Sequence, residues 1–368
     1  MNTASLPHKL LSVLLLSGTL CGFPAWGQDV EPVAAGVETP DTLATASEAT
    51  PPAPADTRHE ERVYQEAIAE LESSEGAYAQ GLTESLLSLA RTLQSQGRHP
   101  EAIKLFRRGV HLARVNEGLY CPQQIPLLQA EIASAIAVQD YAAADERYKY
   151  LYRVQMHNFN SSESGANALM EQAQWQHHAY QLGLGPQGYT RLMDMLDLYQ
   201  LALQEVISRE GEKSPGCLPP LQGILQAQYL ISSYAGEDLG QVFYEDGRVN
   251  EPLLRFKAYR ADSYAQGNAA IQAISGIDQG NPVRNLVMLG DWQLWNGRTD
   301  AAWEAYRQAE TELAKADDAQ TQMQNLFGEP VALPDLANLS PLPPMVDPQV
   351  ADILLSFGVS EQGRVQDL

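Results

Sequence analysis

One arrangement of small and bulky residues occurs twice in this chain, 200 residues apart. In "LARTLQSQGRHPEAIKLFRRG", Leu89 to Gly109, the small residues Ala90, Gly97, Ala102 and Gly109 are interleaved with bulky Leu89 and Phe106. In "LGDWQLWNGRTDAAWEAYRQA", Leu289 to Ala309, the small residues Gly290, Gly297, Ala302 and Ala309 keep the same offsets from Leu289 and Tyr306. Both stretches carry Gly-Arg between their halves, at Gly97-Arg98 and Gly297-Arg298. Two helices packed back to back need this kind of skeleton. Small residues let the helices approach, bulky ones fill the gap between them, and a glycine suits the place where the first helix stops and the chain reverses. One such pair cannot bury its apolar side alone, so recurrence implies stacked copies.

A third copy centres on Ala144, 42 residues after Ala102, with Tyr148 matching Phe106 and Leu128 matching Leu86. Its turn, "VQDYAAA", lacks the glycine. A further echo aligns "EGLYCPQQIPLLQ" (Glu117 to Gln129) without gaps to "EGEKSPGCLPPLQ" (Glu210 to Gln222), with six of thirteen positions identical. In that register Cys121 stands opposite Ser214, and Cys217 opposite Gln124.

These copies resemble the tetratricopeptide repeat (TPR) family, helix–turn–helix units of about 34 residues. The 42-residue spacing is similar to the longer repeats of kinesin light chains. The resemblance covers residues 62–318 and implies an all-α, TPR-like helical-hairpin solenoid, right-handed, whose groove takes a protein or an extended peptide. Helices are expected at 62–76, 80–96, 99–117, 124–138, 141–158, 163–182, 187–210, 218–235, 252–274, 282–296 and 299–320. The stretch 236–251 breaks the pattern, and its Asp246-Gly247 signals a small hairpin or loop insertion.

Outside the array, residues 1–27 read as a secretory signal peptide. Lys9 is its positive head, Leu10 to Phe23 its apolar run, and Ala25 and Gly27 the small residues before a cut at Gln28. The run is short for a membrane span, and Leu20 before Cys21 does not suit a lipoprotein motif. Residues 28–57, rich in Ala, Pro, Thr and Glu, are expected to be a disordered linker leading to an array over 58–320. Export would place Cys121 and Cys217 in an oxidising compartment, where they either pair as one disulfide or stay as two thiols.

Lys plus Arg number 24 against 46 Asp plus Glu, a formal charge of −22. Such a chain repels nucleic acid and anionic lipid and favours basic partners. No catalytic or cofactor motif is recognisable. "GLGPQG" (Gly183, Gly185, Gly188) follows an amphipathic helix rather than a strand and so reads as an inter-helix loop. His177-His178 point about 100° apart on a helix and do not share a metal ion, whose ligand pairs sit at i, i+4. The abundant tyrosines suit both helix packing and an interface. Arg255, Lys257 and Arg260 form a basic cluster that faces either a partner or neighbouring acidic helices. Site assignments therefore reduce to structural residues, with catalytic, cofactor and metal positions all empty.

The expected job is an exported scaffold for protein–protein interaction in the periplasm. The competing readings are a periplasmic enzyme with its site in the irregular 236–281 region and a structural part of the envelope. After Phe327 comes a Pro-rich connector, 321–349 in the domain division, and then Val350 to Leu368. There Ile353, Leu355, Phe357 and Val359 alternate as in a strand, and Glu361-Gln362-Gly363 makes a turn. This hairpin resembles the opening of TonB C-terminal domains, whose family contacts outer-membrane receptors. The helix and last strands of that family are missing, so 350–368 is expected to be either a truncated TonB-like domain or a hairpin complete in itself.

Overall fold

The computed structural model describes residues 54–328, apart from 160, 161, 186, 237, 238, 241, 243–247, 316 and 317, together with residues 333, 358, 359, 365 and 366. The signal segment, nearly all of the linker, the Asp246-Gly247 turn and most of the connector and hairpin lie outside the described residues. The chain divides at Pro330–Val331 into two units, which are taken separately.

The first unit is helical. Helix α1 (Pro54–Ser74) precedes five antiparallel pairs: α2 (Leu82–Ser95) with α3 (His99–Glu117), α4 (Gln124–Ala137) with α5 (Tyr141–Phe159), α6 (Glu163–Gln181) with α7 (Gly188–Glu210), α8 (Leu218–Ser233) with α9 (Glu251–Ile277), and α10 (Pro282–Trp295) with α11 (Thr299–Leu313). Helix α12 (Ala319–Phe327) follows. Each of these helices packs on the next in sequence. In the second unit, β1 (Gly358–Val359) pairs antiparallel with β2 (Val365–Gln366), with Gly358 opposite Gln366 and Val359 opposite Val365.

Three boundaries differ from the sequence reading. Helix α1 starts at Pro54, inside the stretch expected as linker, where proline is tolerated in a first helical turn. Helix α11 stops at Leu313, and a separate α12 occupies the start of the expected connector, where Ala, Gln, Met and Leu favour helix. The span treated as irregular for an enzyme site is largely α9, one continuous helix of 27 residues.

The turns inside four of the five pairs share one hydrogen-bond pattern. Arg98 N donates to Leu93 O and Gly97 N to Gln94 O. The same two bonds recur as Asp140 N to Ala135 O with Gln139 N to Ile136 O, and as Arg298 N to Gln293 O with Gly297 N to Leu294 O. These are Schellman closures, in which the residue after the helix adopts a left-handed conformation. Gly97 (φ +74°) and Gly297 (φ +71°) do so without strain. In the glycine-less third copy Gln139 takes the same place at φ +60°, so the geometry is kept although the residue is not. A fourth instance appears at Gly183 (φ +64°), where Leu184 N donates to Ala179 O and Gly183 N to Tyr180 O. Helix α3, α5 and α11 each start two residues after this turn residue, but α7 starts five after it. Three extra residues hide the fourth copy from a search by fixed offsets.

The skeleton residues meet as the spacing requires. Ala102, Phe106, Ala144 and Ala309 are fully buried, Ala302 and Leu89 nearly so, and Leu289 and Tyr148 are half-buried. A Cβ on Gly290 would lie 2.4 Å from the ring of Tyr306, which puts the bulky residue of α11 directly on α10. Close approaches also lock successive pairs together: Gly109 of α3 against Leu127 of α4, Gly223 of α8 against Tyr199 of α7, and Gly267 of α9 against Trp292 of α10. The apolar interior falls into two clusters. One runs from Ile68 through Leu86, Phe106 and Leu128 to Val154; the other runs from Ala166 through Leu192, Tyr199 and Ile224 to Trp292.

A polar seam and the candidate interaction surface

Between the two apolar clusters lies a buried polar network spanning α5, α6 and α7. Counting from its helix start, Arg191 is the fourth residue of α7, the place held by Ala102 in α3, Ala144 in α5 and Ala302 in α11. A charge at a close-packed position must find a partner. Asp145, next to Ala144 on α5, supplies it: Arg191 Nη1 donates to Asp145 Oδ1 at 3.0 Å and Nη2 to Oδ2 at 2.8 Å. Arg191 also donates to Gln176 Oε1 (2.9 Å) and to Leu184 O (3.2 Å). Trp175 Nε1 donates to Asp145 Oδ1 at 2.9 Å, its ring stacks on Tyr148 at 4.2 Å, and Lys149 reaches Asp145 Oδ2 at 2.9 Å from the solvent side. Burial alone would push the Asp145 carboxyl up; the bonds from Arg191, Lys149 and Trp175 more than offset it and hold it below the usual carboxylate range.

Ion pairs continue along the array on either side of this seam. Glu131 of α4 is buried, and its Oε1 accepts from Arg107 of α3 (2.7 Å) and Arg147 of α5 (2.8 Å). Nearly two turns along α7 from Arg191, Asp197 accepts from Arg255 of α9 (2.5 Å) and from the Tyr259 hydroxyl (2.7 Å). Asp194 lies between them. It reaches solvent but makes no hydrogen bond or salt bridge among the described residues. Crowding by protein atoms and the charge of Asp197 push its carboxyl up, with Arg191 and Arg255 opposing them. A carboxylate in that position attracts a further cation.

The basic cluster is therefore split. Arg255 serves α7, with its guanidinium also 5.1 Å from the Tyr259 ring centroid, whereas Lys257 and Arg260 are exposed and form no salt bridge among the described residues. Cys121 and Cys217 are not bonded to each other. Both thiols are free and buried, because each is used locally at the start of a different pair. Cys121 donates to Ala113 O (3.3 Å), and Cys217 to Gly211 O (3.6 Å). In the aligned stretch Gln124 stands where Cys217 does, and its Nε2 reaches the matching carbonyl, Gly118 O, at 3.5 Å. Burial and the nearby Glu210 and Glu212 push the Cys217 thiol up, which disfavours its nucleophilic form. His177 is buried and His178 half-buried. Neither ring nitrogen of His177 has a hydrogen-bond partner among the described residues, and burial lowers it to about 4. Gly183 and Gly185 lie in the loop between α6 and α7. Among the described residues no three His, Cys, Asp or Glu side chains are placed to hold a metal ion, and no helix is long and apolar enough to cross a membrane.

No family model matches this chain, and no curated protein matches it. The solved structures it is similar to include the following two. BtubC from P. vanneervenii has a TM-score of 0.40 and 13% identity, covering 75% of this chain and 95% of that one. A kinesin light chain of nearly identical TPR-like repeats from Podosopora anserina has a TM-score of 0.42 and 14% identity, covering 67% of this chain and 99% of that one. The repeat array rests on the turn closures and interlocks described above.

The ladder of paired charges was not legible beforehand. Its partners stand up to 58 residues apart, as Asp197 and Arg255 do. One signal was present: Arg191 falls at the helix position where the other copies have alanine.

Proposed function

We propose that this chain is an exported TPR-like scaffold that holds another protein, or an extended peptide, in the periplasm. It works by binding and not by catalysis. The observation that carries the reading is the recurrence of one closed turn in four helix pairs, with close approaches at glycines between successive pairs. That construction is suited to presenting one long surface. Asp194 beside Asp197 and the charge of −22 support a basic partner segment. Export is supported by Lys9, the run from Leu10 to Phe23, and Ala25 and Gly27. A link to TonB-type energy transduction is supported by the alternation from Ile353 to Val359.

The test is site-specific photo-cross-linking in intact cells. A photoreactive residue at Asp194 is expected to yield a defined adduct in the envelope fraction, on a chain whose N-terminus is Gln28. A full-length chain retained in the cytoplasm would overturn the export reading. Absence of any adduct at Asp194, Lys257 and Arg260 alike would overturn the scaffold reading.

A further inference from the structure

Arg98, Arg147 and Arg255 each meet a carboxylate of another helix. Two exposed arginines where α3 and α5 meet do not. Arg114, in the last turn of α3, and Arg153 of α5 both lie over the ring of Tyr150, with their guanidinium carbons 5.8 Å and 5.6 Å from its centroid. Neither forms a salt bridge among the described residues, although Glu117 stands three residues beyond Arg114. The one hydrogen bond their guanidinium groups make among the described residues is from Arg153 Nε to Lys149 O of its own helix (3.3 Å). The ring beneath them is fixed. Its hydroxyl lies 2.9 Å from Leu119 O and 2.7 Å from Gln124 Oε1. Gln124 is fully buried, and its Nε2 reaches Leu119 O at 3.0 Å and Cys121 O at 3.4 Å. Val115, next to Arg114, and Leu119, whose carbonyl meets Tyr150, are 53% and 49% exposed.

One guanidinium over a tyrosine ring is favourable. A second on the same ring brings two like charges together, a cost that a bound anion offsets. We propose that this is a second interaction surface, which takes an acidic segment of a partner protein. Arg114 and Arg153 hold its carboxylates, and Val115 and Leu119 cover an apolar residue beside them. Charge on two scales selects that occupant. The whole chain, at −22, repels a long polyanion such as nucleic acid or an anionic membrane. Such fields are screened within about 8 Å at physiological ionic strength, so a short segment meets the two nearby cations and not the charge of the whole chain. The surface at Asp194 and Asp197 calls for the opposite charge, and neither surface depends on the other.

Fluorescence polarisation with the purified chain tests it. The probe is a labelled peptide of Glu-Glu-Leu repeats, and a peptide of Gln-Gln-Leu repeats is its uncharged match. The glutamate peptide is expected to bind, more weakly as salt is added, and the glutamine peptide is not. Arg114→Ala and Arg153→Ala should each weaken binding about two- to fivefold. Far-UV circular dichroism should stay unchanged, because both side chains are exposed. Asp194→Asn should leave the affinity as it is. No binding of the glutamate peptide, equal affinity for the two peptides, or full affinity in the Arg114→Ala/Arg153→Ala double variant would overturn the proposal. Single-stranded DNA or anionic vesicles that bind more tightly than the peptide, and lose that binding in the double variant, would also overturn it by assigning the arginines to a polyanion. The cross-link at Asp194 is read independently, so this surface can fail while the scaffold reading stands.

Discussion

His177 shows how one side chain couples this array to pH. Buried and without a hydrogen-bond partner for either nitrogen among the described residues, it is held neutral, with its pKa lowered from 6.5 to about 4. The unfolded chain therefore binds the proton more readily than the folded one. His177's contribution is fully present above pH 6.5 and is lost as pH falls towards 4, where charging the ring favours unfolding. The shift corresponds to about 3 kcal/mol over that window. Thermal melts of wild type and His177→Leu should diverge on acidification, with the wild type losing the more stability; parallel curves from pH 7 to 4 would contradict this. The same scale holds the seam. Arg191→Ala leaves Asp145 buried with its strongest partner gone and is expected to cost about 3–5 kcal/mol in denaturant melts. The Asp145→Ala/Arg191→Ala double variant should recover much of that loss, because it removes the stranded charge along with its partner.

The helix pair is the element in which the sequence is easiest and hardest to read. Glycine at 97 and 297 and alanine at 102 and 302 are legible because turn closure and close packing leave few residue types that fit. Gln139 is not legible as a turn residue, since only the surrounding geometry forces it to φ +60°. The Gly183 turn is hidden by three inserted residues, and the Asp145–Arg191 pair by a separation of 46 residues. The Gln139 case yields a prediction of opposite sign to most mutations. Gln139→Gly removes left-handed strain of about 1–2 kcal/mol at an entropic cost of about 0.5–1 kcal/mol, so it should stabilise the chain modestly. A lower melting temperature for Gln139→Gly would show that the turn is not left-handed. At the interlocks the reverse holds: Gly290→Ala drives a methyl into the Tyr306 ring and is expected to cost about 1–3 kcal/mol.

For the whole molecule, the closures at Gly97, Gln139, Gly183 and Gly297 and the glycine–ring contacts describe stacked helix pairs with two apolar clusters joined by a polar seam. Everything proposed about binding rests on that repetition. It is tested most directly at its two clearest copies. Ala102 is fully buried and Ala302 is 1% exposed, each the fourth residue of the second helix in its pair. Melts of the mature chain carrying Ala102→Arg or Ala302→Arg are the measurement. Each arginine would force a charged side chain into a space that now holds a methyl group, and each should cost about 3–5 kcal/mol. If both variants melt like the wild type, these alanines do not lie between packed helices, and the repeat array is wrong.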